Sequence, residues 1–199
     1  MRLYLLSFLC LGLTSGLFSQ KADGAIAEAW FLNLYSGAGL GTVKRGSADP
    51  ERIDYFKPGL LWQPLIGFEA GSWLNRKLNI SAGIRYQVKG YSEGNNSVYK
   101  HLNPYWMGLV NFEYLIFNRL SYQLGLSMGK GTGSRQYEKH LEFALLNTVK
   151  YYPHKNWAFS LGYNRGINPI SIPAYGKAFH SSLDLAVHYR LNSFRISAN

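Results

Sequence analysis

Hydrolytic chemistry has one spelling in this chain. His180-Ser181-Ser182 sets a histidine and a serine two residues apart. A serine hydroxyl becomes a nucleophile when a base takes its proton and a third group orients that base. Glu142 is the carboxylate available for the third role. His101, His140, His154, His180 and His188 are scattered without the spacing of a metal-ligand set. His140 and His188 read as polar lining, so neither a metal nor a cofactor is expected. Gly129-Lys130-Gly131-Thr132-Gly133-Ser134 is glycine-rich but lacks the G-x-x-x-x-G-K-[ST] spacing and a following helix, so it reads as a loop.

The elements that must position these residues are strands. Phe179, Ser181, Leu183, Leu185, Val187, Tyr189 and Leu191 alternate with His180, Ser182, Asp184, Ala186, His188 and Arg190. Such a period of two marks a strand with one apolar face. The same alternation runs through 78–89, 120–129 and 157–164. Less regular strands are expected near 29–41, 65–74, 105–117 and 139–151, where Asn147 interrupts an apolar face. The connections run long, short, long, short, long, short, long. The three short ones are Asn75-Arg76-Lys77, Asn118-Arg119 and Pro153-His154-Lys155-Asn156. Tight turns at one end and long loops at the other are the pattern of a transmembrane barrel. The strand lengths also suit a tilted span of ~9–11 residues. The fold expected is all-β, an eight-stranded antiparallel up-and-down transmembrane barrel.

The polar face decides which side points inward. It is largely Gly, Ser, Ala, Asn and Gln, where a solvated face would be dense in Lys and Glu. Small polar groups suit the crowded interior of a narrow barrel. Its charges are of mixed sign: Glu69, Glu113, Glu142 and Asp184 accompany Arg85, Lys89, Lys150 and Arg190. Charges in a low-dielectric lumen are costly unless paired, so these eight are expected to form one network. Aromatics gather beside the short turns (Trp30, Trp73, Phe117, Tyr151, Tyr152, Trp157, Tyr189) and toward the long loops (Tyr86, Trp106, Tyr163, Phe179). Two such belts match the girdles at membrane interfaces.

Composition sets the limits. The chain has 199 residues, one domain's worth, with 47% hydrophobic, 16% aromatic and only 16% charged residues. Disorder is excluded by the apolar content. A multi-span helical protein is excluded by the mean hydropathy of -0.15 and by the lack of a ~20-residue apolar run in the mature chain. The net charge is +10, but no base run exceeds Lys44-Arg45. A nucleic-acid partner, which wants a concentrated basic stripe, is therefore not expected. Arg2 followed by apolar Leu3–Phe18 reads as a signal peptide, cleaved after residue 19 or 20 or after Ala27. Its removal takes away the only cysteine, Cys10, and with it any thiol chemistry. The division expected is 1–27 leader, 28–192 barrel and 193–199 tail.

Three stretches resemble the PorT-like outer-membrane β-barrel family: IGFEAGSWLNRKLNISAGIRYQVKGYS (66–92), with Tyr86, Lys89 and Gly90 as its Tyr-x-x-Lys-Gly; NFEYLIFNRLSYQLGLSMG (111–129); and WAFSLGYNRGINPI (157–170). Gly162 stands where that family usually has Arg. The resemblance implies an outer-membrane location more than a task. The His-x-Ser pair also resembles that of lipid A deacylases, which use it with a Glu. Here alternation turns His180 and Ser182 inward, away from acyl chains, and the preceding strand carries Tyr163, Asn164 and Arg165 instead. Lys44, Arg45, Arg52, Lys100, Lys130, Arg135, Arg165 and Lys177 lie in or beside the long loops. Bases at that level can pair with lipopolysaccharide phosphates. The function expected is a non-enzymatic outer-membrane barrel with a filled lumen and a structural or accessory envelope role. Outer-membrane lipid and lipopolysaccharide are its expected partners, and no protein partner is named. Two other readings stay open: a lipid A-modifying hydrolase on the same barrel, and a secreted soluble ligand-binding barrel.

Overall fold

The computed structural model describes residues 29–45, 58–75, 77–93, 99–132, 140–172 and 176–195. The expected leader, Arg52, Arg135 and the last four residues lie outside these. The strands are β1 (Ala29–Arg45), β2 (Pro58–Gly59), β3 (Leu61–Trp73), β4 (Leu78–Glu93), β5 (Tyr99–Phe117), β6 (Leu120–Gly131), β7 (Leu141–His154), β8 (Trp157–Gly166), β9 (Ile170–Ile172) and β10 (Gly176–Arg195). Eight of them follow one another as β1-β3-β4-β5-β6-β7-β8-β10, and β1 pairs back onto β10. All neighbours are antiparallel, with Leu40 opposite Leu183 and Leu32 opposite Leu191 at the closing seam. The short β2 adds to β4, and β9 adds to β10. Closure pairs each of these eight strands on both sides, which a membrane-spanning sheet requires because lipid offers its backbone groups no partner.

Several strands run longer than the sequence pattern suggests, chiefly toward the long-loop end. Strand β5 has 19 residues and β10 has 20, beyond the ~9–11 needed to cross. Alternation fades where the sheet leaves the apolar layer, so the outer ends of these strands carry little pattern. At the other end β10 continues through residues 193–195, where Ala29 meets Arg195. The short turns have local causes. Asn75 Oδ1 accepts from the backbone N–H groups of Lys77 (2.8 Å) and Leu78 (2.9 Å), an Asx turn that closes the first hairpin.

The faces divide as the composition of the polar face requires. Leu126, Leu185, Trp62 and Phe159 project outward and are more than half exposed. Asn79, Gln87, Asn111 and Ser121 are buried in the lumen. An apolar outer wall of this extent marks contact with lipid. It is the reverse of a soluble ligand-binding barrel, whose apolar face is the inner one. Asn147, on the outer face, accepts a 2.6 Å hydrogen bond from Tyr122, which satisfies its carbonyl where no water is present. The lumen is tight enough to need glycine. A Cβ at Gly125 would overlap the Asn111 amide, and one at Gly41 would overlap Gln63.

Leu126 lies mid-strand on β6. Leu126→Arg should lower folding stability by roughly 2–4 kcal/mol, the cost of a base at the bilayer midplane. Reversible denaturant unfolding in lipid vesicles would measure it. A near-neutral result would mean that this face does not meet the hydrocarbon layer.

Candidate functional site

The charged residues assemble inside the barrel because each occupies an inward position of its strand: Glu69 on β3, Arg85 and Lys89 on β4, Glu113 on β5, Glu142 and Lys150 on β7, Asp184 and Arg190 on β10. Seven of the eight are buried, and Arg190 is partly so. They form layers along the lumen rather than one continuous network.

The most connected layer centres on Lys150. Its Nζ lies 3.1 Å from Glu69 Oε1 and 3.3 Å from Glu113 Oε2. Glu69 also accepts from Asn33 (3.0 Å), Asn111 (3.0 Å) and Ser81 (3.2 Å). Glu113 accepts from Ser121 at 2.6 Å and from the Tyr152 hydroxyl. One buried cation therefore holds two carboxylates that also accept hydrogen bonds from neighbouring side chains. Those are the conditions under which a buried ion pair recovers its desolvation cost.

Toward the short turns, Arg190 donates through Nε to Asn33 Oδ1 at 3.1 Å. Its guanidinium lies 4.5 Å from the Phe31 ring centroid, 5.5 Å from that of Tyr152 and 5.9 Å from that of Trp73. Among the described residues Arg190 thus meets aromatic faces rather than an acid, an attraction that strengthens when desolvated. This corrects the expected belt: Trp73 and Tyr152 turn inward and help close this end. Phe31 gave no signal of its own, because an apolar residue on the minor face of a glycine-rich strand looks like a lapse in the pattern.

Above the Lys150 layer, Arg85 pairs with Asp184 across the lumen, and Gln87 donates to Asp184 Oδ1 at 3.4 Å. Asp184 faces Gly162 in the β8–β10 ladder, so its cation comes from β4 on the far wall. Tyr35 stacks on His188 with centroids 5.0 Å apart, and Ser160 Oγ lies 2.8 Å from His188 Nε2. Beside these groups is a cavity of about 50 Å³, bordered by Arg85, Asp184, Asn111 and His188.

At the long-loop end, Lys89 Nζ lies 2.5 Å from Glu142 Oε1 and His180 Nδ1 lies 2.7 Å from Glu142 Oε2. His180 and Glu142, the proposed base and orienting acid of a hydrolase, are therefore in contact. Ser182 is buried on the same face, in a recess shared with Gln63, Lys89, Asn164 and His180 that holds no water-sized space. Of the bases assigned to the long-loop end, Lys130, Arg165 and Lys177 are exposed and stand at outward positions of β6, β8 and β10. Lys44 and Arg45 lie in the last residues of β1, in register with Phe179 and Ala178.

No protein-family model matches the chain, and no match is found among curated proteins. Solved structures are similar in shape. Ail, the attachment invasion locus protein of Yersinia pestis, crystallised with the heparin analogue sucrose octasulfate, is 13% identical over 83% of this chain and 100% of that one, with a TM-score of 0.49. Neisserial surface protein A is 12% identical over 79% of this chain and 96% of that one, with a TM-score of 0.44. The outer membrane protein OprG from Pseudomonas aeruginosa is 10% identical over 83% and 97%, with a TM-score of 0.43.

Removing Lys150 strands two buried carboxylates. Lys150→Met should cost about 3–5 kcal/mol of stability, read from denaturant unfolding in vesicles. Adding Glu69→Gln and Glu113→Gln should restore most of the loss. If the triple variant is no more stable than Lys150→Met, the lysine acts through packing and not through its charge.

Proposed function

We propose that this chain is an integral outer-membrane β-barrel with a structural or accessory role in the envelope, without catalytic activity, and that its outward basic rim meets lipopolysaccharide phosphates. The observation that carries this reading is the pairing of an apolar outer wall with a lumen filled by charge-paired side chains. The wall is built for lipid. The lumen, with four acids and four bases spread along its length, blocks passage instead of lining a channel. The family resemblance over 66–92, 111–129 and 157–170 points to the same place in the cell.

Lys130, Arg165 and Lys177 supply the contact with lipid phosphates. Each is exposed on the outer face near the long-loop end, where cations can make charge-assisted hydrogen bonds to phosphate. Lys130 stands beside Trp106 in the β5–β6 ladder, an aromatic of the interfacial kind. A basic rim directly above an apolar wall suits a lipid that carries phosphates above acyl chains.

The hydrolase reading has the His180–Glu142 contact in its favour. Against it, both side chains and Ser182 sit inside the barrel wall, and the adjoining recess leaves no space for an acyl chain. The lipid A mass spectrum of cells with and without the protein should be the same. A missing acyl chain that returns with His180→Ala would make the chain a lipid A hydrolase. For the rim, adding lipopolysaccharide to the purified barrel should raise its unfolding temperature, and the Lys130→Gln, Arg165→Gln, Lys177→Gln triple variant should lose most of that rise. Equal shifts in both proteins would remove these bases from the contact.

A further inference from the structure

The His180–Glu142 contact is part of a larger group. His140, just ahead of β7, brings a second imidazole to the same place. One nitrogen of each histidine and one oxygen of Glu142 all lie within 4.8 Å of one another. The fold makes room for them. Strand β8 runs between β7 and β10, and at this level it presents Gly166. A Cβ there would come within 3.3 Å of the His180 backbone and 3.7 Å of Glu142 Oε1, so a side chain would crowd the gap.

Two further features border this group. The Tyr105 hydroxyl lies 2.6 Å from His140 Nε2. With Nδ1 left to an ion, Tyr105 would hold the ring through its second nitrogen as an outer-shell partner does. In the recess beside His180, Gln63 and Asn164 are 2% and 3% exposed. Gln63 Oε1 and both amide atoms of Asn164 have no hydrogen-bond partner.

We propose that His140, Glu142 and His180 form a binding site for a divalent late first-row transition-metal ion, of which Zn²⁺ is the representative. Two imidazoles and one carboxylate match the borderline ions Zn²⁺, Ni²⁺ and Cu²⁺. Mg²⁺ and Ca²⁺ want a shell of oxygens that this group does not supply. The 2.7 Å between His180 Nδ1 and Glu142 Oε2 is a hydrogen-bond distance, and the ion would displace the shared proton. Tetrahedral ligands at bonds of ~2.0–2.2 Å stand roughly 3.3 Å apart. The widest pair therefore has to close by about 1.5 Å at most, and His140, half-buried and outside the strand, is placed to move. Lys89, 2.5 Å from Glu142 Oε1, holds the carboxylate to one free oxygen. Its charge opposes the incoming cation, so it tunes the site toward weaker binding. The ion would tie β7 to β10 across β8 at the mouth of the lumen. This assignment does not depend on what the outer rim contacts.

The test uses the tag-free full chain, folded in detergent, stripped with a chelator and titrated with Zn²⁺ by calorimetry. The expected result is saturable uptake of one ion per barrel. His140→Ala, Glu142→Gln and His180→Ala should each weaken it by more than the ~10–100-fold that loss of an outer-shell partner costs. Lys89→Met should tighten it. Heat-shifted migration in gels establishes that each variant is folded. Should His180→Ala fail to fold, His140→Ala decides, because that residue is only half-buried and lies at the rim one residue ahead of β7. Absence of saturable uptake by the unaltered chain, or uptake that survives His140→Ala, overturns the site.

Discussion

Everything in this barrel depends on the narrowness of its lumen. Eight strands enclose little more than the space their side chains fill, so the inward groups lie within reach of one another. Most inward charges find their opposite on another strand, and Arg190 settles on an amide and aromatic faces instead. Lys150 illustrates the constraint. It lies 81 residues from Glu69 and 37 from Glu113, yet three strands of the wall are tied through its one ammonium. The sheet closes by backbone hydrogen bonds, but the polar lumen specifies which closure. A register slip by one residue would turn these charges into lipid and the leucines inward.

The same constraint separates what the sequence discloses from what it hides. A period of two discloses which face a residue occupies, and that sufficed for the eight strands, the inward charges and the outward leucines. It carries no information on height along the lumen, which is set by strand register and shear. Arg85 with Asp184 and Lys89 with Glu142 could not be told from the crossed pairs. Layering rather than a continuous network follows from that height. The aromatic pattern misled at the short-turn end for a related reason. Trp73 and Tyr152 sit near the turns, as a belt residue would, but parity turns them inward to cap the lumen with Phe31 and Arg190. Position along a strand and direction across it are independent, and the belt rule reads only the first.

His140 marks a different limit. It lies just ahead of β7, where alternation reads it as polar lining; Glu142 is two residues away, but His180 and Tyr105 are 40 and 35 residues away in sequence. Scattered spacing excludes a metal set held by a single turn or helix. It does not exclude one assembled by a closed sheet, where neighbouring walls bring distant positions together. Metal-ligand spacing rules describe local scaffolds, and a barrel is the opposite of local.

His180 and Glu142 carry two chemistries on one contact, and their setting favours one of them. A hydrolase needs its serine exposed to an acyl chain and the histidine free to pass a proton between nucleophile and leaving group. Here the histidine is fixed by Glu142 on one side and flanked by His140 and Tyr105 on the other, with ring centroids 6.3 and 5.9 Å away. Ser182 is enclosed with no space beside it for substrate. Convergent nitrogen and oxygen donors enclosed in the lumen are poorly placed to pass protons to an acyl chain and well placed to hold an ion. The inward direction of the alternation that argues against the nucleophile is what brings the donors together.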